Sequence, residues 1–470
     1  MIARLTADDV VTATGGRLLR GSGETVFTGV SIDTRTIEPG FLFFAIRGPN
    51  HDAHAFLADA AAKGAAGLVI EDADALPADV AADVAVLVPD TTRALGRLAA
   101  AQRARFDGPV VAITGSNGKT TTKEMCAAIL DRTGPCLRTR GNLNNEYGLP
   151  LTLLARRAED RVAVVELGMN HRGEIAALAA IAKPDIGVVT NVGTAHIEHL
   201  GSREEIAREK TDLLAALPPG GTAILFGDDP LLRAEGARSP ARIVTFGLGE
   251  DCDVRAERIE RPEPGRFRFE IASAAGRLPV QVAGLHAGTV PNALAAATAA
   301  RAAGASDDDV VAGLAAYEPA PGRMSLRALR DDVWLIDDSY NANPQSMAAA
   351  LQGLADVRGT GRLLAILGEM GELGDAAGDA HAEAGRLAGT LGVDRLFAVG
   401  GHAGALLEGA REAGLAADRS FCAPDAEDLD ALIDRVLSVL RPGDRVLVKG
   451  SRAMRMERIA QALASKLGAA

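Results

Sequence analysis

A lysine, three threonines and two glycines sit together in Gly115-Ser116-Asn117-Gly118-Lys119-Thr120-Thr121-Thr122. The apolar run Val110-Val111-Ala112-Ile113-Thr114 precedes them, and a helical stretch to Leu130 follows. Strand, glycine turn and helix form the setting of a phosphate cradle. Glycines let backbone N–H groups turn inward, and the helix N-terminus adds positive potential. The lysine reaches the β/γ-phosphates, and the hydroxyl after it can ligate Mg²⁺. Lys119 and Thr120 are the candidates for those roles. The general motif has its first glycine where Ile113 stands, so Gly115 opens a tighter loop.

Two other apolar runs end in groups suited to a metal. Glu166 closes Val162–Glu166, and Thr190-Asn191-Val192-Gly193-Thr194-Ala195-His196-Ile197-Glu198-His199 follows Ile186. Ligands of open α/β sheets bind at the carboxyl ends of strands. The His-x-Glu-His spacing alone would suit zinc, but no second Cys/His cluster completes such a site. Lys210, in a helical stretch from Glu204 to Leu214, reads by itself as a surface lysine. Near the start, Ser31-Ile32-Asp33-Thr34-Arg35 and Arg47 offer guanidinium groups that match a diphosphate, with Asp33 placed to orient Arg35. Solvated turn charges are the plainer reading of the same residues. His51 and His54 resemble a zinc pair only superficially and are expected to shape their loop. Asn142, Asn144 and Asn145 put three amides in four residues, enough to bind a sugar or peptide or to build an ordinary turn.

The elements that must position these groups alternate strand and helix throughout. Residues 1–88 carry short β-type runs (Val26–Val30, Phe41–Ile46, Gly67–Ile70, Ala85–Val88) and a helical stretch at Ala53–Lys63. Residues 89–320 carry near-continuous apolar runs, which suit strands buried on both faces of a parallel sheet. Within them, 253–285 alternates without helices and predicts a small antiparallel addition. Pro319, Pro321 and Gly322 mark a break. Residues 321–470 alternate again, with strands at Val333–Asp337, Arg362–Leu367, Arg395–Val399 and Arg445–Lys449. The expected fold class is α/β in three domains: a small N-terminal α/β domain, a central P-loop-containing parallel-sheet domain and a C-terminal Rossmann-like domain.

Composition bounds the function. The chain has 470 residues, 47% hydrophobic and 24% charged, so each domain can bury a core. Aromatics are only 3%, which leaves Ala, Leu, Val and Ile to fill it. A net charge of -12 argues against nucleic acid as a partner. The four cysteines lack C-x-x-C spacing and read as free thiols. No signal-peptide pattern opens the chain, and no apolar run approaches the roughly 18 residues of a membrane span. A cytoplasmic protein without a membrane partner is expected.

The tight loop Thr114–Glu124 resembles the ATP loop of the Mur ligase family, and Lys123-Glu124 favours the branch that adds D-alanyl-D-alanine. Matches extend through all three segments. Ser31–Arg35 with Phe43–Gly48 is similar to the family's UDP-binding domain, and Gly141–Pro150 to its muramyl-substrate loop. Asp337–Pro344, Gly368–Gly374 and Val448–Arg452 match the same branch. The Asp-Asn-Pro-Arg stretch of the branch that adds the third amino acid is absent. The resemblance implies an ATP-dependent ligase that joins D-alanyl-D-alanine to UDP-N-acetylmuramoyl-tripeptide through an acyl phosphate. A monomer is expected. It also implies ATP and Mg²⁺ as cofactors.

By the same resemblance, Thr114, Gly115, Ser116, Asn117, Gly118, Lys119, Thr120 and Thr121 hold ATP. Asn292 lies on its adenine side, and Arg323 and Asp338 reach it from across a cleft. Thr120, Glu166, His196 and a carbamylated Lys210 hold Mg²⁺, with Lys119, Glu166, His196 and Lys210 at the reaction. Ser31, Asp33, Arg35, Arg47, Asn142, Asn144 and Asn145 meet the nucleotide-peptide, and Tyr340, Asn341 and Asn343 shape the dipeptide or hinge region. The gap from His286 to Asn292 is longer than the family's, which leaves His286 without an assigned role. Another ligase of this family or folylpolyglutamate synthase would share most of these features. A P-loop switch or motor would share only the loop; two extra domains and no clear Walker-B arrangement speak against it.

Overall fold

Unbroken apolar runs become strands whose side chains are buried on both faces. Val110–Thr114, Val162–Glu166, Leu363–Leu367 and Arg445–Lys449 are buried at every position. The computed structural model describes residues 2–48, 51–423 and 429–468. Among these, three main sheets and a two-stranded ribbon organise the chain.

The N-terminal sheet runs Arg17–Arg20, Val84–Leu87, Gly67–Ile70, Phe41–Phe44, Gly29–Ser31, with only the first pairing antiparallel. The stretch expected as one helix at Ala53–Lys63 divides into a 3₁₀ turn, Ala53–Phe56, and a short helix, Leu57–Ala62. The Asp52 side chain caps the turn through the backbone N–H of His54.

The central sheet has nine strands. Its parallel part runs Cys136–Arg138, Val162–Glu166, Val110–Thr114, Ile186–Val189, Thr222–Phe226, Arg242–Gly247 and Val254–Glu260. Two antiparallel strands, Arg266–Ser273 and Gly276–Ala283, complete it. The antiparallel addition expected at 253–285 therefore extends the same sheet rather than standing apart. The phosphate-loop strand Val110–Thr114 lies between the strands that end in Glu166 and in Val189. Three carboxyl ends with chemistry are thus adjacent.

The C-terminal sheet runs Ser325–Leu329, Val333–Asp338, Arg445–Lys449, Leu363–Leu367, Arg395–Val399, Ser420–Ala423. Only its first pairing is antiparallel, so a doubly wound sheet carries one reversed edge. That edge strand leads directly out of the Pro319–Gly322 break.

The apolar core is continuous past residue 88. Val86 and Val88 of the N-terminal sheet share one cluster with Leu95 and Leu98 of helix Thr91–Arg103 and with Val110, Ala112 and Val165 of the central sheet. The C-terminal sheet packs separate clusters on its two faces, and among the described residues of the central domain only Leu285 joins one of them. At ~25 cal/mol per Å² of apolar burial, the N-terminal and central sheets are welded by far more hydrophobic contact than holds the last domain. The last domain therefore shares the least apolar core with its neighbours.

Candidate active site

The phosphate loop is shaped by two glycines that tolerate no side chain. Gly115 has φ 148° and Gly118 has φ 79°. A Cβ on Gly115 would lie 1.9 Å from Thr190 Oγ1, and one on Gly118 2.3 Å from Asn292 Oδ1. Positive φ and lack of room both require glycine there. The loop is then tied to the neighbouring strand end. Thr190 Oγ1 donates to the Asn117 carbonyl at 2.6 Å, and Asn191 Nδ2 donates to it at 2.9 Å. The Asn117 N–H donates to Asn191 Oδ1, and the Gly193 N–H to Ser116 Oγ.

Gly118 caps helix Lys119–Leu130 without a side-chain bond, so the first-turn N–H groups stay available to an anion. Lys119 Nζ donates back to the carbonyls of Gly115 (2.7 Å) and Ser116 (3.3 Å). Burial lowers the pKa of its amine; the Glu166 carboxylate opposes that and the Arg323 guanidinium adds to it. Thr114 is fully buried beneath the loop, and Thr121 is half-buried on the helix's first turn.

Glu166 is 2% exposed and carries a polar shell of its own. Its Oε2 accepts from Thr120 Oγ1 at 2.9 Å, and its Oε1 from Asn144 Nδ2 at 2.8 Å. Its backbone N–H donates to Thr139 Oγ1. The Thr139 carbonyl in turn accepts from Lys123 Nζ at 2.6 Å, and that fully buried amine also pairs with Glu124 at 2.7 Å. Lys123 served above only as a family signature. In the fold it props the residue that positions Glu166. A lysine on the apolar face of a helix was the available signal.

Lys210 is 1% exposed in helix Arg203–Ala215, contrary to the plain surface reading. Burial pulls its pKa well down, and the Lys119 charge adds to this. Among the described residues it has no ion-pair partner. A buried amine held neutral is the form that reacts with CO₂.

His196 has φ 65° and opens the short helix Ile197–Leu200. Its Nδ1 lies 2.5 Å from Glu372 Oε2 of the last domain. His199 instead packs on the His171 ring. No cluster of three His, Cys, Asp or Glu side chains forms a metal cage among the described residues. A carboxylate, a hydroxyl and an imidazole suit a hard cation that takes its other ligands from phosphate and water, as Mg²⁺ does. Buried Glu166 and the His196 imidazole fit such an ion.

The last domain closes over this face. Asn343 caps helix Pro344–Asp356 and donates from Nδ2 to Asn117 Oδ1 at 2.8 Å. Gln345 Oε1 approaches the Thr194 N–H at 3.4 Å. Arg323 lies over the Tyr340 ring at 3.8 Å, with Arg452 5.7 Å from the same ring. Asp338 is held by Lys449 Nζ at 2.5 Å and by the Met324 N–H, while Lys449 also donates to the Asn341 carbonyl. Burial lowers the pKa of His286, the Asp338 carboxylate opposing and Lys449 adding. His286 follows Leu285, whose side chain joins the apolar cluster of the last domain, and so sits where the two domains meet. Asn292, 6% exposed, lies against Gly118.

A cavity of ≈ 1410 Å³ opens between the N-terminal and central domains. Ser31, Asp33, Arg35, Arg138, Arg140 and Arg157 line it together with apolar Phe41, Phe43 and Leu151. Asp33 grips Arg35 through Nε and Nη2, so the guanidinium is oriented although 84% exposed. Arg47 faces Asp52 and Glu71 instead of this cavity. Of the amide-rich loop, Leu143 and Tyr147 line the cavity. Asn144 goes to Glu166, Asn145 caps its own turn at the Gly148 N–H, and Asn142 is exposed. His51 is on the cavity wall, while His54 bridges Asp52 and the Glu71 N–H and shapes its loop as expected. Composition and spacing gave no sign of Arg138, Arg140 and Arg157, because only the fold brings them opposite Arg35.

Three family models match the chain in order. The Mur ligase family, catalytic domain, matches residues 26–103; the Mur ligase middle domain, 113–300; and the Mur ligase, glutamate ligase domain, 322–452. A UDP-N-acetylmuramoyl-tripeptide–D-alanyl-D-alanine ligase of Mycobacterium tuberculosis is 40% identical, covering 92% of this chain and 91% of its own length. A crystal structure of MurF from Acinetobacter baumannii superposes with a TM-score of 0.88 at 36% identity, covering 99% of both chains. A MurF ligase from Thermotoga maritima in complex with ADP gives a TM-score of 0.80 at 29% identity, over 93% of this chain and 97% of that one.

Proposed function

The chain belongs to the Mur ligase family, and from that premise we propose that it joins D-alanyl-D-alanine to UDP-N-acetylmuramoyl-tripeptide at the expense of ATP. ADP and phosphate are the other products, and peptidoglycan precursor synthesis is the setting. One observation carries the reading to chemistry. A tight glycine loop, with Lys119 and Thr120 at its helix, has the buried carboxylate Glu166 bonded to Thr120. That arrangement serves a triphosphate accompanied by a cation.

Each residue then has a task. Gly115–Thr120 cradles the phosphates, and Lys119 swings from the Gly115 carbonyl to offset charge on the transferring group. Thr120, Glu166, His196 and a carbamylated Lys210 would hold Mg²⁺, which would supply charge neutralisation between two anionic reactants. Asn144 orients Glu166, and Lys123 supports it through Thr139. Asn292 takes the adenine side, while Arg323 and Asp338 complete the nucleotide site from the last domain. The cleft with Ser31, Asp33 and Arg35 receives the diphosphate and sugar. Asn142, exposed on the amide-rich loop, is free to meet substrate, while Arg47 is engaged by Asp52 and Asn145 by the Gly148 N–H. Tyr340, Asn341 and Asn343 shape the dipeptide side.

The terminal carboxylate of the tripeptide takes the γ-phosphoryl group and becomes an acyl phosphate. The free amine of the dipeptide attacks the acyl carbon, the C–O bond to phosphate breaks, and the amine loses its proton. Closure of the last domain excludes water from the acyl phosphate.

A cytoplasmic monomer is part of this reading, because its substrates are soluble nucleotide-peptides. Among the described residues no helix is long and apolar enough to cross a membrane.

The test is phosphate release with UDP-muramoyl-tripeptides, with and without D-alanyl-D-alanine, using ¹⁸O in the terminal carboxylate. Release that requires both substrates, with ¹⁸O in the phosphate, is expected. Release that ignores both would point to a nucleotide switch. Crystals grown with bicarbonate that show a bare Lys210 amine would remove carbamylation from the scheme.

A further inference from the structure

His196 and Glu372 meet across the domain cleft in an uncommon way. Both are non-glycine residues with positive φ, 65° and 61°. Such conformations persist only where the surroundings hold them, and they gather at functional contacts. The two loops come from different domains, yet Nδ1 and Oε2 stand 2.5 Å apart.

The loop that carries Glu372 is fixed from behind. The Met370 N–H donates to His381 Nε2 at 3.0 Å, and His381 Nδ1 lies 2.6 Å from the Ala377 carbonyl. Those two bonds assign His381 a proton on Nδ1 and none on Nε2. The Gly368 N–H donates to the Lys449 carbonyl, and the Ser451 N–H to the Glu369 carbonyl. Glu369 Oε1 accepts the His402 N–H at 3.2 Å. Gly374 closes against Glu198, two residues after His196. The loop is thus built to deliver one carboxylate to one imidazole.

A histidine that binds a metal through one nitrogen nearly always gives its other N–H to a carboxylate or carbonyl. That partner fixes the tautomer, aims the ring and raises its basicity. His196 Nδ1 has no other partner among the described residues. Its Nε2 is then the nitrogen left for a cation.

We propose that Glu372 is a positioning residue that accepts the Nδ1–H of His196 from the opposite domain, so that closure of the last domain completes the divalent-cation site. This rests on the reading of His196 as a metal ligand. Coupling is reciprocal: if closure tightens the cation, the cation favours closure by the same factor. The cation site would then be strong only when the reaction chamber is shut.

The experiment titrates Mn²⁺ by electron paramagnetic resonance into the full chain with a non-hydrolysable ATP analogue. Glu372→Ala raises the apparent Mn²⁺ Kd about 10–100-fold. Glu372→Gln, whose amide oxygen still accepts a hydrogen bond, loses less. The Glu372 side chain is 47% exposed, so both variants keep the fold, with unchanged urea midpoints. Unaltered Mn²⁺ affinity in folded Glu372→Ala overturns the proposal, as does a Glu372→Gln variant that loses turnover but not affinity. Mn²⁺ binding that Glu166→Ala leaves intact removes the metal-site reading itself, a different failure.

Discussion

The central and C-terminal sheets both present their chemistry at the carboxyl ends of parallel strands, but they do so differently. On the central sheet the partners are already in place. Thr120 finds Glu166 on the adjacent strand, Asn117 finds Thr190 and Asn191 on the other neighbour, and Gly118 abuts Asn292. On the C-terminal sheet, Asn343 and Glu372 reach partners in the other domain. A self-contained pair there, Lys449 with Asp338, is buried and held by neighbouring backbone. The first half of the site is preformed; the second depends on closure. The contrast follows from packing, since the N-terminal and central sheets share one apolar core and the last domain has its own.

The largest expected effect falls on the preformed half. Lys119→Ala should lower ATP turnover by about 10³-fold or more, with the urea midpoint unchanged, because the lysine contributes charge rather than packing. Wild-type turnover in that variant would erase the distinction between the halves. Next comes the prop beneath it. Lys123→Ala removes the amine from the Thr139 carbonyl, leaves Glu124 with Arg138 alone and opens a cavity, so it should cost about 3 kcal/mol in urea unfolding and also reduce kcat. A loss of stability with kcat intact would detach Lys123 from Glu166.

The closure half should respond more gently. Asn343→Ala removes a helix cap and the bond to Asn117, and should cost about 1 kcal/mol of stability with a several-fold rise in the KM for ATP. A kcat effect without a KM effect would mean that the contact with Asn117 is not part of nucleotide binding.

The smallest effect concerns thiols. Burial pushes Cys136 up to about 12 and Cys252 up to about 11, and raises Cys126 well above its usual range. Raised values keep these thiols protonated at pH 8, and the thiolate is the reactive form. Exposed Cys422 should therefore react with maleimide first. Fast labelling of Cys136 would show that the N-terminal cleft opens more than the shared core suggests.

Much of the central sheet was legible along the chain, and for a definite reason. Val110–Thr114, Val162–Glu166 and Thr222–Phe226 are apolar at nearly every position because both faces are covered, and their limits agree with the sequence pattern. Short or edge strands were not legible. Cys136–Arg138, Arg242–Gly247 and Ser325–Leu329 carry polar or exposed residues that break such a run. Arg47 looked like a phosphate ligand beside Arg35, yet a turn sends it to Asp52. The asparagine loop looked like a row of substrate donors, yet Asn144 and Asn145 serve Glu166 and their own backbone.

The sequence by itself determined the phosphate loop, the three-part α/β plan and the family resemblance. Each of these is written in contiguous residues, where glycine conformations, hydroxyl spacing and apolar period act over a few positions. Only the tertiary structure decided that Lys123 and Lys210 are buried, that arginines from two domains face one cleft, and that Glu372 reaches His196. Those facts depend on which surfaces meet once sheets pack and domains close. Solvent exclusion and charge pairing are properties of that meeting, and no single segment of the chain encodes them.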